Sequence, residues 1–110
     1  MDFKSIQKRV ASLLINVKYP RVGTIIGLQE EVGNLSGCIM DIEIYDKKTR
    51  LINLGDDMAN VFFSLIDMCN AYNIEIEPFL SKRLGEIEDR IRCWEKEHGK
   101  NLEKIRGKIN

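Results

Sequence analysis

Apolar residues recur along this chain at intervals of three and four, the spacing of one face of an α-helix. Phe3, Ile6, Val10, Leu13, Leu14 and Val17 form the first stripe, with Asp2 placed to cap it and Lys4, Lys8 and Arg9 on its polar side. This helix is expected to stop near Lys18-Tyr19-Pro20, because proline disfavours helical geometry in the residue before it. A second stripe covers residues 22–47 through Ile25, Leu28, Val32, Leu35, Ile39 and Ile42. Such a helix would be about 37 Å long, more than a compact four-helix monomer of this size can use. The surplus apolar length at 39–45 predicts packing on another subunit, unless the helix breaks at Ser36-Gly37.

A polar connection, Asp46-Lys47-Lys48-Thr49, leads into a third stripe of Leu51, Leu54, Met58, Val61, Phe62, Leu65 and Met68, which ends around Tyr72-Asn73. Residues 74–78 read as a turn, and Pro78 suits the first position of a fourth helix striped by Phe79, Leu80, Leu84, Ile87, Ile91 and Trp94. Beyond His98-Gly99 the apolar density falls, so residues 101–110 are expected to be frayed or weakly helical. No useful β-alternation and no internal repeat interrupts this pattern. The expected fold is all-α: one four-helix bundle-type domain over 1–98, completed by dimerisation through the long second helix, with a weakly ordered tail at 99–110.

Composition narrows the function classes. The 110 residues are 44% hydrophobic and 31% charged, which suits a single core. Seventeen basic and seventeen acidic residues cancel, so no global charge draws the chain to nucleic acid or to an anionic membrane. Cys38, Cys69 and Cys93 are odd in number and widely spaced, and read as reduced core thiols of an intracellular protein. His98, the lone histidine, lies in a polar segment and completes no zinc site. The first ten residues are too polar for a signal peptide, and the most apolar stretch, 61–66, is too short to span a bilayer. A cytoplasmic location is therefore expected.

The candidate chemistry lies in two acidic clusters, Glu30-Glu31-Val32-Gly33-Asn34 and Asp56-Asp57-Met58-Ala59-Asn60. In each, a carboxylate and an amide stand three residues apart, Glu31 with Asn34 and Asp57 with Asn60, on one side of a helix about one turn apart. Paired acids on helices are ordinarily solvated. Here both pairs adjoin the apolar stripes, and Gly33 and Ala59 in the same turns would let two helices approach closely. Polar groups at a core's edge need partners. A divalent cation such as Mg²⁺ is one solution, and a hydrogen-bond network among the acids and amides is another.

Gly27-Leu28-Gln29-Glu30-Glu31-Val32-Gly33-Asn34-Leu35 resembles the first motif of the MazG-like all-α nucleotide pyrophosphohydrolases, where a helix carries Glu-Glu-x-x-Glu. Leu54-Gly55-Asp56-Asp57-Met58-Ala59-Asn60-Val61 resembles their second motif, Glu-x-x-Asp, and Asn73-Ile74-Glu75-Ile76-Glu77-Pro78-Phe79-Leu80 their turn into the last helix. The resemblance spans residues 3–95 in order and spacing. It implies an oligomeric helical protein, a homodimer or homotetramer, that hydrolyses nucleoside triphosphates to monophosphate and pyrophosphate with Mg²⁺. In this chain Glu31, Asn34, Asp57 and Asn60 would occupy the metal-ligand positions, and Glu30 would bind metal or orient water. Lys82 or Arg83 would meet phosphate oxygens.

The departures carry as much weight. Asn34 and Asn60 stand where the family has acids, and Asp57 is one methylene shorter than the family's Glu. Each carboxylate-to-amide change removes a negative charge from beside the ion, so catalysis should be weakened severely. Two alternatives follow: a catalytically degenerate nucleotide-binding module, or a purely structural helical oligomer.

Elsewhere the pattern favours structure over chemistry. Lys47-Lys48, with Arg50 nearby, reads as a solvated connection, and 86–100 as an exposed face of mixed charge. Phe79 and Trp94 sit at core spacing. No Ser-His-Asp grouping and no glycine-rich phosphate loop occurs.

Overall fold

A computed structural model describes residues 2–17 and 20–109, with the backbone only at Ile109. The described residues form no strand and four α-helices: α1 (Phe3–Leu13), α2 (Val22–Glu43), α3 (Leu51–Ala71) and α4 (Glu77–Ile109). A short 3-10 turn, Lys48–Arg50, leads into α3. The fold is all-α, as the periodicity requires. The chain divides into two compact units, Met1–Ile76 and Glu77–Asn110.

Local chemistry sets each boundary in the first unit. Asp2 caps α1 as expected, its Oδ1 accepting from the Ser5 backbone N–H at 2.7 Å. That hydrogen bond holds the Asp2 carboxyl below its ordinary 3.8. A group whose folded pKa is depressed contributes stability above its unfolded value and loses it as pH falls through the folded value. Asp2→Ala should therefore lower the thermal midpoint at neutral pH, and the gap from the native chain should narrow as pH drops below 3.8. Thermal melts followed by circular dichroism between pH 7 and 2.5 would show this, and a gap independent of pH would refute it.

α1 stops earlier than its stripe suggested: beyond it the bonds shorten to turn type, the Ile15 N–H reaching Ser12 O at 3.5 Å and the Val17 N–H reaching Leu14 O at 2.9 Å. Leu13, Ile15 and Val17 are exposed and add nothing to the core. Of the expected stop signal, Lys18 and Tyr19 lie outside the described residues.

α2 runs unbroken through Ser36-Gly37, where Ser36 Oγ donates to Val32 O at 2.9 Å. It ends short of residue 47 because Asp46 takes a left-handed φ of 54°, and the Lys47 N–H bonds Asp41 O at 2.8 Å. Asn73 does the same for α3, at φ 55°. There the Ile74 N–H reaches Cys69 O at 2.8 Å and the Asn73 N–H reaches Asn70 O at 3.1 Å, the paired bonds of a Schellman cap.

α2 and α3 make the principal contact of this unit, as neighbours joined by a short link, and α1 packs on α3. The buried apolar core among the described residues is small: Cys38, Ile42 and Ile66. Ile25, Ile26, Val32, Ile39, Met58, Phe62 and Leu65 are left exposed on α2 and α3. α1 is held by its half-buried stripe of Phe3, Ile6, Val10 and Leu14 and by a set of polar bonds. Gln7, 8% exposed, donates through Nε2 to Asn70 Oδ1 (3.2 Å) and to Ile74 O (2.8 Å). Its Oε1 accepts from the Ile76 N–H at 3.1 Å, and its backbone O accepts from Asn70 Nδ2 at 3.0 Å.

The second unit is a single helix of 33 residues, about 50 Å long. Residues 101–109, expected to fray, continue α4 instead. Phe79 (63% exposed) and Trp94 (54%) are likewise not core residues in this structure. Gly85, Gly99 and Gly107 lie inside α4, and each costs a helix roughly 1 kcal/mol relative to alanine. A lone helix so burdened gains most of its stability by burying an apolar face.

Candidate metal centre

The register of α2 against α3 is fixed at the link. Cys38 Sγ donates to Arg50 O at 3.5 Å, and Arg50 Nη1 stands 3.6 Å from Asp41 Oδ2. Glu31 lies seven residues before Cys38 on α2, and Asp57 seven residues after Arg50 on α3. Seven residues make nearly two helical turns, about 10.5 Å, so each keeps the face of its reference residue. Counted along an antiparallel pair, equal steps from the Cys38–Arg50 contact would bring Glu31 and Asp57 to one level.

Both residues are half-buried there. Glu31 Oε2 and Asp57 Oδ2 are shielded from solvent and accept no hydrogen bond. A shielded carboxylate oxygen without a partner is costly. The chemistry of this pair, hard anionic oxygen, suits Mg²⁺. The donor set is thin: among the described residues no group of three or more His, Cys, Asp or Glu side chains is placed to hold a metal ion.

The other candidate residues lie differently. Asn34 and Asn60 are exposed, as is Glu30. Along the antiparallel pair Asn34 falls toward the link and Asn60 away from it, so the amides flank the carboxylate level on opposite sides. Gly33 and Ala59 do not bring the helices together. Both are exposed, and a Cβ added at Gly33 would meet nothing within 4 Å. Lys82 and Arg83 belong to the second unit, where both are exposed and Arg83 Nη1 bonds Glu86 Oε2 at 2.7 Å.

Arg50 is the residue that sequence reasoning undervalued. Lys48 is solvated, its side chain 77% exposed beside Asp46. Arg50, however, anchors the link through its carbonyl and its bridge to Asp41, while its Nε is shielded without a partner. The only sequence signal was its place directly before the apolar run of α3.

The three thiols also differ from one another. Cys38 is buried, Cys69 half-buried and Cys93 exposed, so the reading of all three as core thiols fails at Cys93. Burial pushes the Cys69 thiol up, away from its reactive form. Burial likewise raises the carboxyl of Asp67, which lines a groove with Arg21, Thr24 and Asn70. Among the described residues no helix is long and apolar enough to cross a membrane. No protein-family model, curated protein or solved structure matches this chain.

Proposed function

We propose that this chain is a MazG-like nucleoside triphosphate pyrophosphohydrolase-type protein whose Mg²⁺ site is weakened. The observation that carries the reading is the pair of shielded, unpartnered carboxylate oxygens at Glu31 and Asp57. Those two residues would hold the cation, with Asn34 and Asn60 as neutral donors beside them. Bound Mg²⁺ supplies neutralisation of phosphate charge and a more acidic water. Glu30, exposed next to Glu31, would bind metal or orient the attacking water. Lys82 and Arg83 are the cationic candidates for phosphate oxygens. A second copy covering the exposed apolar residues of α2 and α3 would complete a homodimer or homotetramer around this site.

The exposed, uncharged Asn34 and Asn60 favour a second reading, a nucleotide-binding module that has lost turnover. The two are separated by incubating the protein with each NTP and dNTP plus Mg²⁺ or Mn²⁺ and following pyrophosphate release. Turnover that Glu31→Ala abolishes supports the enzyme. Nucleotide binding without turnover supports the module, and neither leaves a structural oligomer.

Asn34→Glu with Asn60→Asp should tighten Mg²⁺ binding on the order of 10- to 100-fold, because added ligand charge sets affinity at oxygen sites. Isothermal titration of the double variant reads this directly. Unchanged affinity would remove the proposed ligand set.

A further inference from the structure

We infer that α4 is a dimerisation helix, pairing in parallel and in register with the α4 of a second copy of this chain. Leu80, Leu84, Ile87, Ile91, Trp94 and His98 follow one another at steps of four, three, four, three and four, the seam of a two-stranded coiled coil. A further step of four to Leu102 and one of three to Ile105 carry the seam on after a local unwinding at His98. The seam is open in the single chain: Leu84 is 67% exposed, Ile91 58% and Ile105 50%. Gly85, Gly99 and Gly107 fall off the seam. A helix carrying three glycines gains most from a partner that buries the opposite face.

Charge identifies that partner and its direction. Arg83 and Arg90 each stand one position before a seam residue, Leu84 and Ile91. Glu88 and Glu95 each stand one position after one, Ile87 and Trp94. In a parallel pair these flanks meet with an offset of five residues. Arg83 then faces Glu88 of the second copy, Arg90 faces Glu95 of the second copy, and symmetry doubles both pairs. An antiparallel pair would set the glutamate flank against itself.

In the single chain Arg83 bonds Glu86 at 2.7 Å, and Arg92 bonds Glu88 at 2.6 Å. Both are exposed contacts within one helix and exchange at little cost. Arg90, Ile91, Trp94, Glu95, Gly99 and Leu102 line a groove on α4 with apolar walls between a cation and an anion, the form of hole that a seam side chain of a second copy fills. His98, ring to ring with Trp94 at 5.6 Å, places a polar side chain on the seam, a device that fixes register.

The test uses the full chain and its mass in solution, by light scattering after gel filtration. Arg83→Glu with Arg90→Glu turns four attractive pairs into four repulsive ones and should raise the α4 dissociation constant on the order of 30-fold. At fixed micromolar concentration the assembly's mass should fall by half. Glu88→Arg with Glu95→Arg should do the same, and an equal mixture of the two variants should regain the native mass. All four sites are exposed, and circular dichroism checks that helicity is kept. A monomeric native chain, with α4 covered within its own chain, overturns the proposal. A native oligomer whose mass ignores both charge reversals also overturns it, and assigns assembly to α2 and α3. Neither result bears on the cation site, which is read separately by metal titration.

Discussion

Gln7→Leu should destabilise the first unit by about 3 kcal/mol, the largest effect expected of any single substitution in it. The side chain is almost wholly buried and serves three partners through its amide: Asn70 Oδ1, Ile74 O and the Ile76 N–H. Leucine fills similar space but leaves each partner without its bond, and every buried polar group so stranded costs roughly 1–3 kcal/mol. Domains of this size are stable by only about 5–15 kcal/mol, so the loss is a large share of the whole. Gln7→Glu should be no milder. It removes both donors and sets a negative charge 2.8 Å from the Ile74 carbonyl, where the amide now donates. Urea unfolding followed by circular dichroism measures the shift, and a double-mutant cycle with Asn70→Ala assigns the part owed to the pair. A loss under 1 kcal/mol would mean that water replaces the lost bonds, and that the clamp is incidental.

Glu31→Gln with Asp57→Asn should act in the opposite sense, stabilising the metal-free protein by about 2 kcal/mol. Neutralising the pair relieves the burial of charge at two shielded, unpartnered carboxylate oxygens, while keeping side-chain size. The same change should abolish the response to cation. A ligand that binds only the folded state stabilises it by RT ln(1 + [L]/Kd), about 2.7 kcal/mol at a hundredfold excess over Kd. Thermal melts in EDTA and in millimolar Mg²⁺ therefore form a matched pair of measurements. The native chain should gain stability with Mg²⁺ and the variant should not, although the variant begins higher. Stability sacrificed for charge at one level of a helix pair is the mark of a binding site, and a solvated acidic face would show neither trend. A variant no more stable than the native chain in EDTA would dismiss the site.

Helix number and order were legible in the sequence because steps of three and four are an intrinsic property of a one-sided helix. Asp2 was legible as a cap because its side chain acts locally. The end of α3 at Tyr72-Asn73 was legible as well; that of α2 was less so, because Asp46 closes it by a left-handed conformation that any polar connection can hide. The fate of residues 101–109 was misread because low apolar density was taken for disorder, although charged residues sustain a helix well. Gln7 gave no signal at all. Its partners lie 63 to 69 positions away, and nothing in a local window distinguishes a buried glutamine from a solvated one.

Of the candidate site, the sequence indicated Glu31 and Asp57 by their place at the edges of apolar stripes, and in the structure each has one shielded carboxylate oxygen without a partner. It could not indicate that Asn34 and Asn60 are exposed. A rotation of about 60° between residues three apart moves a side chain from the rim of an interface to open solvent.

The polar clamp around Gln7 bears on how the first unit assembles. α2 and α3 meet across a short link, so little chain entropy opposes their pairing, whereas α1 finds its seat only after a long loop has closed. Having reached it, α1 is retained by directional bonds as well as by its half-buried apolar stripe. The amino-terminal helix is thus a latch that closes on a prefabricated hairpin, fastened at Asn70, Ile74 and Ile76, far along the chain from where α1 begins.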